Sequence, residues 1–173
     1  NYPAYRQKAR ESRAGATDFF NEQSALEPEP EERQRIFEKR WAQGGLNMGF
    51  AFGDLVTNQA SNDLVVKFVH DKIREKVKDP AVAELLCPKD HPLGTKRLCQ
   101  DNYYYETYNR ANVTLVDIKH SPIETITRRG LRTGGVDYEF DAIVFATGFD
   151  AMTGALLAID IRGRRGMELR QKW

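Results

Sequence analysis

The chain has 173 residues, 26 basic and 25 acidic side chains, a net charge of +1 and 40% hydrophobic residues. That length suffices for one domain with a sizeable core, since a chain of roughly 150 residues buries about 70% of its unfolded surface. The balance of charge excludes the basic field that nucleic acid or an anionic membrane surface requires, and no apolar run approaches the roughly 18 residues of a membrane span; small, near-neutral partners fit better. Cys87 and Cys99 are spaced as neither a metal knuckle nor a redox pair, which points to a reducing, cytoplasmic setting. The chain does not begin with Met, its first residues lack the apolar core of a signal peptide, and its last, MELRQKW, carry no helix stop. The expectation is a segment that starts and ends inside a longer protein.

In chain order, Glu29 to Gln43 opens with Pro30 and acidic residues, closes at Gly44-Gly45, and places Ile36, Phe37, Arg40 and Trp41 at helical spacing, which predicts a helix. Residues 44–53, GGLNMGFAFG, read as a glycine-punctuated loop whose Leu46, Met48, Phe50 and Phe52 need cover, from within the chain or from outside it. From Ser61, the stripe Leu64, Val65, Phe68, Val69, Ile73 and Val77 predicts a second helix ending where Asp79 precedes Pro80. Pro80 then starts a short helix through Leu86, stopped before Pro88. Residues 89–94, KDHPLG, form a turn-rich connector into Thr95-Lys96-Arg97-Leu98.

Beyond the connector, Tyr103 to Arg110 reads as a short helix and Val113 to Ile118 as a buried strand. Ile123 to Thr127, Leu131 to Thr133 and Tyr138 to Phe140 alternate apolar and polar residues around Arg128-Arg129-Gly130 and Gly134-Gly135, which predicts an antiparallel meander. Ala142 to Ala146, AIVFA, is a continuous apolar run suited to a strand buried on both faces of a parallel sheet. The fold expected is α/β, helical for about the first 90 residues and β-rich from residue 113.

Few residues offer chemistry. Thr147-Gly148 follows the AIVFA run, and in open α/β sheets the carboxyl ends of strands line the ligand crevice, where a residue without a β-carbon admits a cofactor; the competing reading is a glycine that turns the chain. Lys96-Arg97 reads either as two solvated charges or as an anion-binding pair. His70, His91 and His120 have no metal-ligand spacing, and no metal is expected. The tyrosines 103, 104, 105 and 108 fit helix packing better than nucleic-acid stacking, and Arg162, Arg164 and Arg165 fit a solvated turn better than a phosphate nest. No GxGxxG string, the turn that seats a pyrophosphate on a helix N-terminus, occurs anywhere.

The segment 141–150, DAIVFATGFD, resembles the ATG-containing stretch of class B flavoprotein monooxygenases. Together with GTKRL at 94–98, YYYETYNRANVTLVD at 103–117, PIETITRRGLRT at 122–133, AGATDFF at 14–20 and TGALLAIDIRG at 153–163, it is similar to Baeyer–Villiger monooxygenases. The resemblance implies FAD and NADPH as cofactors and a small ketone and O2 as substrates, with oxygen insertion giving an ester or lactone. It implies that Lys96 contacts the NADPH 2′-phosphate and that Arg97 is catalytic, acting at the flavin to stabilise its anionic peroxide and the adduct formed with the ketone. An ammonium is a compact charge suited to a phosphate dianion, and a guanidinium stays ionised and offers a fixed fork of donors. Such a charge is worth about 3 to 4 kcal/mol if it acts like one oxyanion-hole donor.

The same resemblance places Gly148 at the crossing from the nicotinamide domain to the flavin domain. It implies three parts: a helical insertion over 1–90, the C-terminal strands of a Rossmann-like NADPH-binding domain over 91–150, and the start of the return to the FAD-binding domain over 151–173. Both phosphate-binding turns of the family and its FxGxxxHxxxW fingerprint are absent, so the missing FAD-binding and N-terminal NADP-binding segments would have to be supplied by the rest of such a protein. Two alternatives stand beside ketone oxidation: a heteroatom monooxygenase acting on amines or sulfides, and a non-catalytic folded module.

Overall fold

Pro30 heads a helix because its missing N–H is one that a first turn leaves unpaired anyway, and Glu31 and Glu32 sit favourably at the positive end of the helix dipole. In the computed structural model, which describes residues 2–11, 21–96, 102–148, 150 and 153–173, that helix runs Pro30–Gln43 (α2) after an exposed Tyr2–Glu11 helix (α1). Gly44, at φ +69, ends α2 by donating its N–H to the Trp41 carbonyl, a left-handed conformation that glycine adopts without strain.

The next helix, α3 (Gln59–Lys76), starts two residues before Ser61 because the Asn58 side chain accepts from the N–H groups of Ala60 and Ser61 and so satisfies two orphan donors. Asp79, held extended before Pro80, caps Ala81 and Val82 in the same way and opens α4 (Pro80–Leu86). The described chain divides into two compact units, Asn1–Asp117 and Ile118–Trp173.

In the first unit, Phe37 of α2 and Val65 and Phe68 of α3 are buried with Met48, Ala51, Phe52 and Leu55 of the segment between them. Phe37 meets Phe52 edge-on at 5.5 Å and Phe68 at 5.2 Å. The cover that residues 44–53 require thus comes from inside the chain for Met48 and Phe52, and the segment adds one 3-10 turn, Asn47–Phe50. A second cluster, Ile73, Val77, Ala83 and Cys87, joins α3 to α4, with Tyr105 of the short helix α5 (Tyr104–Thr107) against it. Burial pushes the Cys87 thiol up from its ordinary pKa. The expected Tyr103–Arg110 helix is shortened, since Tyr103 lies at φ 64 and residues 108–112 turn.

The second unit holds the expected meander: β1 (Ile123–Ile126), β2 (Gly130–Thr133) and β3 (Val136–Glu139), antiparallel in the order β1-β2-β3. Gly134 and Gly135, both at positive φ, form the two-residue link between Thr133 and Val136, the mirror-image turn that matches strand twist. At Gly130 a β-carbon would lie 1.9 Å from the Tyr138 carbonyl oxygen. Two short helices follow, α6 (Gly154–Leu157) and α7 (Leu169–Lys172).

Two expected strands are not formed. Residues 113–117 are irregular and only half-buried in places, and residues 142–148 have no ladder partner, with Val144 87% and Phe145 69% exposed. Apolar, β-branched composition favours a strand only where neighbouring strands accept its hydrogen bonds, and the three described strands pair only with one another. The structure is therefore helical and antiparallel β, without a parallel sheet among the described residues. No described helix is long and apolar enough to cross a membrane.

Candidate functional site

Lys96 ends an irregular stretch that leaves α4 at Cys87 and passes along α3. No ladder holds this stretch, so its course depends on side chains. Asn62 of α3, 2% exposed, donates from Nδ2 to the Leu93 carbonyl at 2.9 Å and to the Leu55 carbonyl at 2.6 Å, and its Oδ1 accepts from the Leu93 N–H at 3.1 Å. His70 Nε2 lies 2.9 Å from the Pro88 carbonyl oxygen. The Thr95 N–H and hydroxyl both donate to the Pro92 carbonyl, closing a turn immediately before Lys96.

Lys96 lines a cavity of about 980 Å³ within the first unit, whose walls include Trp41, Met48, Val69, Ile73 and Tyr104. Its side chain is exposed and has no carboxylate partner among the described residues. An exposed ammonium beside an apolar, aromatic-walled cavity suits a phosphate ester attached to a flat, partly apolar molecule. The other lysine at this cavity, Lys76, is engaged with Glu106 at 2.9 Å. Nearby, Tyr108 donates to the Tyr104 hydroxyl at 2.9 Å, and burial together with that bond pushes its pKa up to about 12, so it stays neutral.

Of the other expected site residues, Arg97 lies outside the described residues, as does Cys99. Gly148 is exposed, sits at φ +83 and has nothing within 4 Å of where a β-carbon would stand. Its conformation, not crowding, favours glycine. Lys96 belongs to the first unit and Gly148 to the second. No group of three or more His, Cys, Asp or Glu side chains placed to hold a metal ion occurs among the described residues; His70 holds Pro88, and His91 Nδ1 lies 2.6 Å from its neighbour Asp90. Arg162 pairs with Asp160 at 3.1 Å and Glu168 at 3.3 Å around a tight turn, in keeping with a structural turn.

Composition and spacing pass over two polar residues that organise the first unit. Asp54 accepts from the Ser61 hydroxyl at 2.6 Å, the Ser24 hydroxyl at 2.7 Å and the Ala25 N–H at 3.0 Å. Burial alone would raise its pKa, but these bonds outweigh it and hold the carboxyl below its ordinary value. Asn62 is the other. Both sit in ordinary-looking sequence, and only the tertiary path of the chain brings their partners to them.

No protein-family profile matches the chain. It is 48% identical over 148 residues to a Baeyer–Villiger monooxygenase of Pseudooceanicola batsensis, a match covering 83% of this chain and 27% of that protein. It is 42% identical over 153 residues to a phenazine N-monooxygenase of Lysobacter antibioticus, covering 87% and 28%. Among solved structures it superposes on OTEMO in complex with FAD and NADP with a TM-score of 0.92 and 41% identity, over 99% of this chain and 32% of that one. The chain thus spans about three-tenths of the length of the proteins it matches.

Proposed function

Since the chain belongs, over the segment it spans, to the Baeyer–Villiger monooxygenase family, we propose that the full-length protein is a flavin-dependent monooxygenase. It inserts one oxygen atom of O2 into a ketone to give an ester or lactone, using FAD and NADPH. The observation that carries this is the 48% identity to a Baeyer–Villiger monooxygenase over 83% of the chain. When bound, NADPH and FAD supply the reducing equivalents and the activation of O2. What this chain contributes is charge and position: Lys96 binds the 2′-phosphate, and Arg97 fixes negative charge at the reacting centre. The exposed Lys96 at the rim of an aromatic-walled cavity, with no carboxylate partner among the described residues, supports the first role.

In this reading residues 1–90 are the helical insertion of the nicotinamide domain and 91–150 its end. Residues 142–146 supply a strand to a parallel sheet, Gly148 is the crossing point, and 151–173 lead back to the flavin domain. A cytoplasmic setting belongs to the same reading. With no GxGxxG turn, the 173-residue chain by itself holds neither cofactor fully and is not active.

The test is Arg97→Ala in the full-length enzyme. Ketone oxygenation should fall by a hundredfold or more, in line with the roughly 10²–10³ loss for one oxyanion-hole donor, while NADPH still reduces the flavin. Oxygenation that survived with the flavin still reducible would overturn the role of Arg97. A second reading, heteroatom oxidation, is favoured by the relative named a phenazine N-monooxygenase. Turnover of cyclic ketones against aromatic amines and sulfides separates the two.

A further inference from the structure

We propose that Asn62 is a positioning residue for coenzyme choice, setting where Lys96 stands by fastening the stretch that carries it onto α3. The proposal rests on the reading of Lys96 as the 2′-phosphate contact.

Residues 88–96 are irregular, with no strand or helix hydrogen bonds of their own beyond the turn at Pro92 and Thr95. Asn62 supplies what a neighbouring strand would. Its carboxamide donates to and accepts from the same residue, Leu93, while its second N–H reaches Leu55. Both donors and the acceptor are therefore used, on backbone groups, by a side chain 2% exposed. A buried amide is costly unless satisfied, and an apolar residue would fill this place in α3 without that cost. The amide is explained by the stretch it holds.

Two further anchors follow the same line. Eight residues along α3, His70 Nε2 meets the Pro88 carbonyl oxygen at 2.9 Å, so the stretch runs antiparallel to the helix between the two. At Gly94, φ is +93 and a β-carbon would lie 2.8 Å from Val56 Cγ1, so the chain is pressed against the Val56 side chain two residues before Lys96. A charged side chain on a fixed stretch pays less to order itself around a phosphate than one on a free loop. Loss of Asn62 is thus transmitted to Lys96 and to what Lys96 discriminates.

The experiment compares kcat/KM for flavin reduction by NADPH and by NADH in the full-length enzyme, as wild type, Lys96→Ala, Asn62→Leu and the double variant. Lys96→Ala should lower the NADPH/NADH ratio by about tenfold or more, the order expected of one charge-assisted phosphate contact. Asn62→Leu should lower the ratio several-fold, and should lower it no further when Lys96 is already Ala. His70→Ala, which releases Pro88 at the exposed end of the stretch, should give the same signature with smaller amplitude, and it decides the question if Asn62→Leu does not fold. An unchanged ratio in Asn62→Leu, or an equal drop in the Lys96→Ala background, overturns the positioning role. An unchanged ratio in Lys96→Ala overturns the reading of Lys96 itself, and the two failures are thereby told apart.

Discussion

The two units use apolar residues in opposite ways. In the first, Phe37, Phe52, Leu55, Val65, Phe68 and Ile73 are all 5% exposed or less, closed off by helices of the same unit. In the second, Ile126, Val136, Phe140, Val144, Phe145 and Ile159 are each 48% exposed or more, and the meander buries little beyond Gly130 and Thr133. The hydrophobic effect rewards area removed from water, whatever the composition of the segment. The first unit therefore carries its own stability, whereas the second is held by turns, ladder bonds and surface pairs.

The sharpest way to break this contrast is a pair of matched truncations in the 173-residue chain. Phe37→Ala removes a ring packed against two others and should cost about 3 to 5 kcal/mol, read by chemical denaturation followed by circular dichroism. Phe145→Ala should stay within about 0.5 kcal/mol, as for an exposed site. A large loss at Phe145 in this chain would show that the 142–146 run is buried after all. In the full-length enzyme, where that run is proposed to enter a parallel sheet, Phe145→Ala should become as costly as Phe37→Ala.

The same contrast explains what the sequence made legible. Pro30, Gly44 and Pro80 act on their own few neighbours, so their signals name the helix ends beside them almost residue by residue, whereas the Asn58 cap that starts α3 ahead of Ser61 was not read from the sequence. Gly134-Gly135 and the alternation beside it name the meander for the same reason. Val113–Ile118 and Ala142–Ala146 carry strand composition, but a strand is completed by partners distant in sequence, and composition cannot say whether they are present. The role proposed for Lys96 comes from a resemblance, not from its own pattern. Asn62 and Asp54, which shape the surroundings of Lys96 and the core, gave no signal because an isolated Asn or Asp reads as a surface residue until the chain folds around it.

Asp54 gives the next largest expected effect. Asp54→Ala leaves the fully buried Ser61 hydroxyl and the Ser24 hydroxyl without their acceptor, at a cost of about 2 to 4 kcal/mol. Because its folded pKa is depressed below the ordinary 3.8, its contribution is present above that value and is lost as pH falls through the lower folded value. Denaturation of wild type and variant should accordingly converge only in strong acid. Convergence at pH 5 or 6 would mean that Asp54 is not held ionised by these bonds.

The smallest effect tests whether surface charge matters equally in both units. Glu84 accepts from Arg74 Nε at 2.6 Å and pairs with Lys89 at 3.0 Å, and the bond from Arg74, then that from Lys89, pulls its pKa from 4.5 to about 2. All three side chains are more than 40% exposed, so solvent screens the pair and its contribution is slight. Glu84→Gln should lower the melting temperature marginally in dilute buffer. The difference should vanish near 1 M salt, where the screening length is about 3 Å, and should fade as pH drops from 4.5 towards 2, the window in which the folded and unfolded carboxyls differ. In the second unit, Arg132 grips Asp137 through two bonds of 2.7 and 2.6 Å across β2 and β3. With no buried apolar cluster among the described residues of the second unit, Asp137→Asn should accelerate hydrogen exchange of the β2 and β3 amides, while Glu84→Gln leaves α3 protected, because its buried face and not its ion pairs keeps it closed. Equal acceleration in both would place the stability of the first unit in its surface charges and erase the distinction between the two.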